Sequence, residues 1–163
     1  MSRRFDLAPR LLGAAVACVL ISPVAADQAI KPDAHGFVVV QPDDVKFPEG
    51  GQSQVTLAGD PTKPGVYVIR IRFGPGQMSR PHFHDQDRYV TVIKGTWWVS
   101  LGPEADVFDP AKTVPMKAGS FVKHPAGSHH YDGAKDEDVI VQIIGMGPVK
   151  TTQIGGGGRQ PPE

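Results

Sequence analysis

Hydrophobic positions in this chain come in short bursts with a period of two. From Val66 to Phe73, Val and Ile alternate with Tyr and Arg, as in a strand with one face buried. Short runs of β-branched and aromatic residues recur at Gln54–Leu57, Arg88–Lys94, Thr96–Leu101, Ser120–Lys123 and Val139–Ile144. A further strand is expected at Phe37–Val40, in the lead-in to the domain. Turn residues lie between the bursts, at Gly50–Gly51 and in the Asp-, Pro- and Lys-rich stretch Gly59–Gly65. No segment sustains a helical period. Many short strands punctuated by Gly and Pro predict an all-β sandwich or barrel, and a jelly roll satisfies that pattern.

The ends of the chain differ from the middle. Arg3, Arg4 and Arg10 precede an apolar run, Leu11–Ile21, and the small residues Val24, Ala25 and Ala26 follow it. Eleven apolar residues fall well short of a membrane span, so residues 1–26 are expected to be a signal peptide cleaved before Asp27. The expected location is periplasmic or secreted, with no stable membrane span after cleavage. Ser2, Arg3 and Arg4 suggest the twin-arginine route, although Asp6 stands where that signal favours an apolar residue. Cys18 lacks the flanking residues of a lipoprotein site. At the other end, Ile154–Glu163 carries four successive glycines and then Arg, Gln, Pro, Pro and Glu, the composition of a disordered tail.

Residues 27–153 are thus expected to form one domain, large enough for its own core. The part after residue 26 has no cysteine and needs no disulfide. Losing residues 1–26 takes three Arg and one Asp from 17 basic and 17 acidic side chains, leaving a net charge near −2. No basic block appears, and no nucleic-acid partner is expected.

The candidate chemistry lies in histidines. His82 and His84 are two apart in a β-rich stretch, so their side chains share a face. His130 follows a Pro125, Ala126, Gly127 turn. A third imidazole brought to the first two would complete a facial set of nitrogen donors for a transition metal.

These two stretches resemble the paired signature motifs of the cupin superfamily. The first motif there runs G, five residues, HxH, three or four residues, E, six residues, G; here Gly76, His82, His84 and Gly95 fall in register. The second runs G, five residues, PxG, two residues, H, three residues, N; here Gly119, Pro125, Gly127 and His130 fall in register. The resemblance covers about Gly65–Gly145 and implies a cupin-type jelly-roll β-barrel, frequently dimeric. It implies His82, His84 and His130 as metal ligands. Fe(II) is the first candidate ion; Ni, Cu and Zn also suit neutral imidazole, and Mn is a further candidate. Two residues depart from the pattern: Arg88 stands where the family carries a metal-binding Glu, and Ala134 where it carries Asn.

Arg88 is the difficult residue. A guanidinium has no lone pair to give a metal. A divalent ion about 6 Å from it would be repelled by roughly 5 kcal/mol at an effective dielectric of ~20. Three arrangements remain open. The head turns to solvent or to Asp85, Asp87 or Asp132; an anion, such as a substrate carboxylate, sits between it and the metal; or no metal binds. Gln86, Asp85 and Asp87 are alternative oxygen donors near the missing Glu. Alternation places His124 inward if Lys123 faces water, as a general acid or base titrating near neutrality or as a packed core residue. Trp97 is expected to line the pocket beside Arg88 as a substrate-binding residue. Trp98 and Phe108 are candidates for a homodimer interface, His129 for the surface and Tyr131 for a role behind the ligands.

The three-His pattern without Glu resembles non-haem iron dioxygenases acting on thiols and diketones. That resemblance implies an oxidoreductase, with Arg88 orienting a small anionic substrate. A non-enzymatic small-ligand binder and a metal sensor or storage domain are the readings from other classes, since fold alone does not set the reaction.

Overall fold

A computed structural model describes residues 30–49 and 52–155. The expected signal peptide, the Gly50–Gly51 turn and nearly all of the expected tail lie outside the described residues. Ten strands follow in order: β1 (Ser53–Ala58), β2 (Gly65–Phe73), β3 (His82–His84), β4 (Arg88–Lys94), β5 (Thr96–Leu101), β6 (Val114–Lys117), β7 (Phe121–His124), β8 (His130–Gly133), β9 (Val139–Gly147) and β10 (Thr151–Gln153). They form two five-stranded antiparallel sheets, ordered β1-β2-β9-β4-β7 and β10-β3-β8-β5-β6. Among the described residues no helix is long and apolar enough to cross a membrane.

Alternation in the long strands decides which face is buried. In β2, Tyr67, Ile69, Ile71 and Phe73 point inward, while Val66, Val68, Arg70 and Arg72 point outward. β9 does the same with Val139, Val141 and Ile143, and β4 with Val90 and Val92. Trp97 and Val99 of β5 meet these residues from the other sheet, so both sheets share one core. Burying each such side chain contributes about 1.5–3 kcal/mol.

β4 passes to β5 through Gly95 alone, which moves the chain from one sheet to the other. Gly95 has φ +75°, and a Cβ there would lie 2.5 Å from the carbonyl oxygen of Asp138. Only glycine meets both demands.

Strands β1, β2, β4, β5, β7 and β9 occur where the alternation predicts them, with ends shifted by up to three residues. Phe37–Val40 is a correction: it forms no strand, and Phe37 and Val39 lie exposed. Phe37, Val38 and Val39 are all exposed, so the run buries no face against the core and nothing offsets the cost of fixing it as a strand. The short strands β6, β8 and β10 were not foreseen. β6 contains Pro115 but is an edge strand, where a missing N–H is tolerated.

Candidate functional site

Both sheets contribute to one site. β3 turns His82 and His84 inward and Phe83 away. His130 of β8 is the register partner of His82, which brings the third imidazole alongside. From the opposite sheet, Arg88 of β4 and His124 of β7 are register partners and both point inward. Tyr67 of β2 joins them through Gly145, which pairs with both Tyr67 and Arg88. A Cβ on Gly145 would lie 2.5 Å from the Tyr67 hydroxyl, so the missing side chain makes room for the phenol.

The potential donor atoms of His82, His84 and His130 all lie within 4.8 Å of one another. Their ring centroids are 4.3–5.2 Å apart. His82 Nδ1 donates to the Arg80 carbonyl at 2.7 Å, and His130 Nδ1 to the Ser128 carbonyl at 3.0 Å. A carbonyl only accepts, so each Nδ1 carries the proton, and in the neutral ring Nε2 offers its lone pair. His84 Nδ1 lies 3.0 Å from Thr151 Oγ1, and its Nε2 accepts from Arg88 Nη1. A guanidinium only donates, so the His84 lone pair is also on Nε2. Three Nε2 donors fixed this way suit a transition metal, and the triad can hold such an ion. Bonds of about 2.1 Å would draw the donors closer together than they stand here. One obstacle is plain: the guanidinium already occupies the lone pair that His84 would give to a metal.

Burial keeps His84, His130 and His124 neutral. The His84 pKa falls to about 2, chiefly through burial and then through the Arg88 charge. That of His130 falls to about 4, again chiefly through burial. His124 falls to about 3, through burial and then through His130. The expectation that His124 titrates near neutrality therefore needs correcting: at physiological pH it is a neutral ring. Its Nε2 is buried with no hydrogen-bond partner.

Arg88 is only 8% exposed, so its head does not turn to solvent. Nor does it pair with a carboxylate. Asp87 holds Lys123 at 2.7 Å and the Ala126 N–H at 2.8 Å, and Asp85 accepts from the Lys150 N–H at 2.7 Å. Asp132 accepts from Ser79 Oγ at 2.6 Å and from Trp97 Nε1 at 3.0 Å, and it supports the Arg88 charge only through its field. Burial disfavours the Arg88 charge more than any neighbour favours it. Its Nε makes no hydrogen bond. The Tyr67 hydroxyl feels the guanidinium but completes no hydrogen bond of normal geometry.

These groups surround a cavity of about 240 Å³, lined by Tyr67, His82, His84, Arg88, His124 and His130 among others. Apolar walls come from Ile69, Val90 and Ile143. Trp97 is a further correction. It is fully buried but does not line the cavity; it stacks 5.8 Å from His124 and holds Asp132. Tyr131 faces away, exchanging hydrogen bonds with the Asp109 backbone beneath Phe108. His129 pairs with Asp106 outside the cavity. Trp98 is half-buried under the Lys135 ammonium, and Phe108 under the Arg80 guanidinium. Asp85, Gln86 and Asp87 are absent from the cavity lining and from the donor cluster. Tyr67 and Thr151 were missed in the sequence. Tyr67 reads there as one more member of an alternating strand, and Thr151 sits beyond the second motif.

No family model matches the sequence, and no curated protein is similar to it in sequence. Solved structures are similar in fold. A protein with a double-stranded β-helix domain from Klebsiella pneumoniae matches with a TM-score of 0.57 at 18% identity, over 72% of this chain and 97% of that one. The polyketide cyclase RemF from Streptomyces resistomycificus matches with 0.55 at 18%, over 72% and 86%. KdgF from Halomonas sp. matches with 0.52 at 19%, over 65% and 91%. The chain shares the fold of these structures, a double-stranded β-helix jelly roll.

Proposed function

We propose that this protein is a small exported cupin that binds one divalent transition metal through His82, His84 and His130 and acts on a small organic molecule. The observation that carries this reading is the convergence of three Nε2 lone pairs on one buried cavity. Fe(II) suits a three-imidazole set, as do Ni, Cu and Zn, with Mn a further candidate. A bound ion of this kind would supply Lewis acidity and, if redox-active, a site for dioxygen chemistry. The resemblance of the three-His pattern to non-haem iron dioxygenases makes an oxidation by dioxygen the reaction class put first.

The chain's own part is positioning. The carbonyls of Arg80 and Ser128 and the hydroxyl of Thr151 hold the three rings by their Nδ1 atoms. Ile69, Val90 and Ile143 keep one side of the cavity apolar. Neutral His124 offers a hydrogen bond to whatever enters, not a proton source poised near pH 7.

A second reading has one specific observation in its favour. The hydrogen bond from Arg88 to His84 Nε2 is the arrangement of a metal-free ligand binder. Metal content decides between the two, measured on the purified protein after reconstitution with each candidate ion. Near-stoichiometric metal, lost in the His82→Ala/His84→Ala double variant, is expected. No metal in the reconstituted protein would leave the binder.

A further inference from the structure

We propose that Arg88 is an anion-operated latch on the three-His site, so that a ligand carboxylate and the metal bind cooperatively. This inference rests on the metal reading above and adds the substrate class, a small carboxylate or similar oxyanion.

Three observations carry it. First, Arg88 is a buried cation with no carboxylate partner, and its Nε is buried without any acceptor. An unpaired buried charge costs several kcal/mol and is retained where something else neutralises it. Second, of the five buried side-chain polar atoms without a partner among the described residues, three belong to residues of this cavity, while Ser53 Oγ and Gln77 Oε1 lie outside it. Arg88 Nε, the Tyr67 hydroxyl and His124 Nε2 are all unpartnered, and all three residues line the same cavity. Two are donors beside one another, the arrangement that receives an oxyanion. The cavity of about 240 Å³ has room for roughly eight waters, hence for a small organic acid. Third, Arg88 Nη1 binds the Nε2 of His84, the atom a metal needs.

Together these define two arrangements of one side chain. Without an anion, the guanidinium rests on His84 and opposes the metal by occupying a ligand and by its charge. A carboxylate that accepts from Arg88 Nε and from the Tyr67 hydroxyl draws the head off His84 and cancels its charge. The lone pair is released, and the anion's own charge favours the cation. Linkage makes the effect reciprocal, so the metal must tighten the anion by the same factor.

The probes are Co(II), whose visible bands report ligation, and formate, the smallest carboxylate. Co(II) affinity is measured with and without formate in wild type and in Arg88→Gln. In wild type, formate is expected to tighten Co(II) by roughly tenfold or more, within the usual range of coupling between sites. Arg88→Gln is expected to bind Co(II) more tightly than wild type without formate and to lose most of the formate effect. Equal Co(II) affinity in the two proteins would overturn the latch and leave the metal site standing. So would a formate effect of the same size in both, since formate would then be acting on the metal alone. No Co(II) binding by either protein, with or without formate, would overturn the metal reading itself and the latch with it. A separate readout needs no variant. The ¹⁵N–¹H signal of Arg88 Nε should move when formate is added to metal-free wild type, and a signal that stays in place at saturating formate would overturn the latch.

Discussion

Acidification should strongly destabilise the metal-free protein before its carboxylates protonate. His84, His124 and His130 are held at about 2, 3 and 4 by burial, against about 6.5 in an unfolded chain. Between those values the unfolded state takes up protons that the folded state refuses. Stability therefore falls as pH drops below about 6.5, and the loss continues until each folded value is reached. Each imidazole costs about 2 kcal/mol between pH 7 and pH 5, and the three together about 6 kcal/mol. A domain of this size has roughly 5–15 kcal/mol in total. Asp60 and Asp87 also have lowered values, but they lose their contribution only below about pH 4, outside this window. Urea unfolding of the metal-free protein at pH 7, 6 and 5 measures the effect. His124→Phe, which removes one titrating ring, should lessen the loss by about a third. An unfolding midpoint that does not move between pH 7 and pH 5 would refute the reasoning. An identical pH slope in His124→Phe would remove His124 from it.

Gly95→Ala should destabilise the fold by about 2 kcal/mol or more, because it strains a left-handed residue and drives a Cβ against the Asp138 carbonyl; an unchanged melting temperature would contradict this. Trp97→Phe removes the donor to Asp132 Oδ2 and should cost about 2–4 kcal/mol in chemical unfolding, through a buried carboxylate oxygen left without its donor and a small cavity. Were Trp97 an ordinary core filler, the cost would be under about 1.5 kcal/mol. The proposal of export predicts that expressed full-length protein is recovered outside the cytoplasm with residues 1–26 removed; mass spectrometry of the N-terminus reads it directly. Recovery only in the cytoplasm with an intact N-terminus would count against export.

Much of the barrel was legible because a strand with one buried face writes itself as alternation. Val66–Phe73, Arg88–Lys94 and Val139–Ile144 each carry that period, and each forms a central strand. The histidines were legible for a related reason. Two residues apart in a strand share a face whatever the fold, and the second motif supplied His130. Where the pattern was short or lacked a partner, local reading failed. Phe37–Val40 has strand-like residues but buries no face against the core, while β10 has three residues and exists because β3 offers it an edge.

The sequence by itself thus determined the strand-rich architecture, the three imidazoles and the anomaly of Arg88, since each is a matter of residue type and spacing. The surroundings of Arg88 were decided only by tertiary structure. Its neighbours Asp85 and Asp87 are near in sequence but committed to Lys150 and Lys123, while Tyr67, His124 and Gly145 reach it from three other strands. Trp97 was placed behind the pocket for the same reason. A strand's period says which side of a sheet a residue faces, whereas the packing of the opposite sheet decides what it meets there.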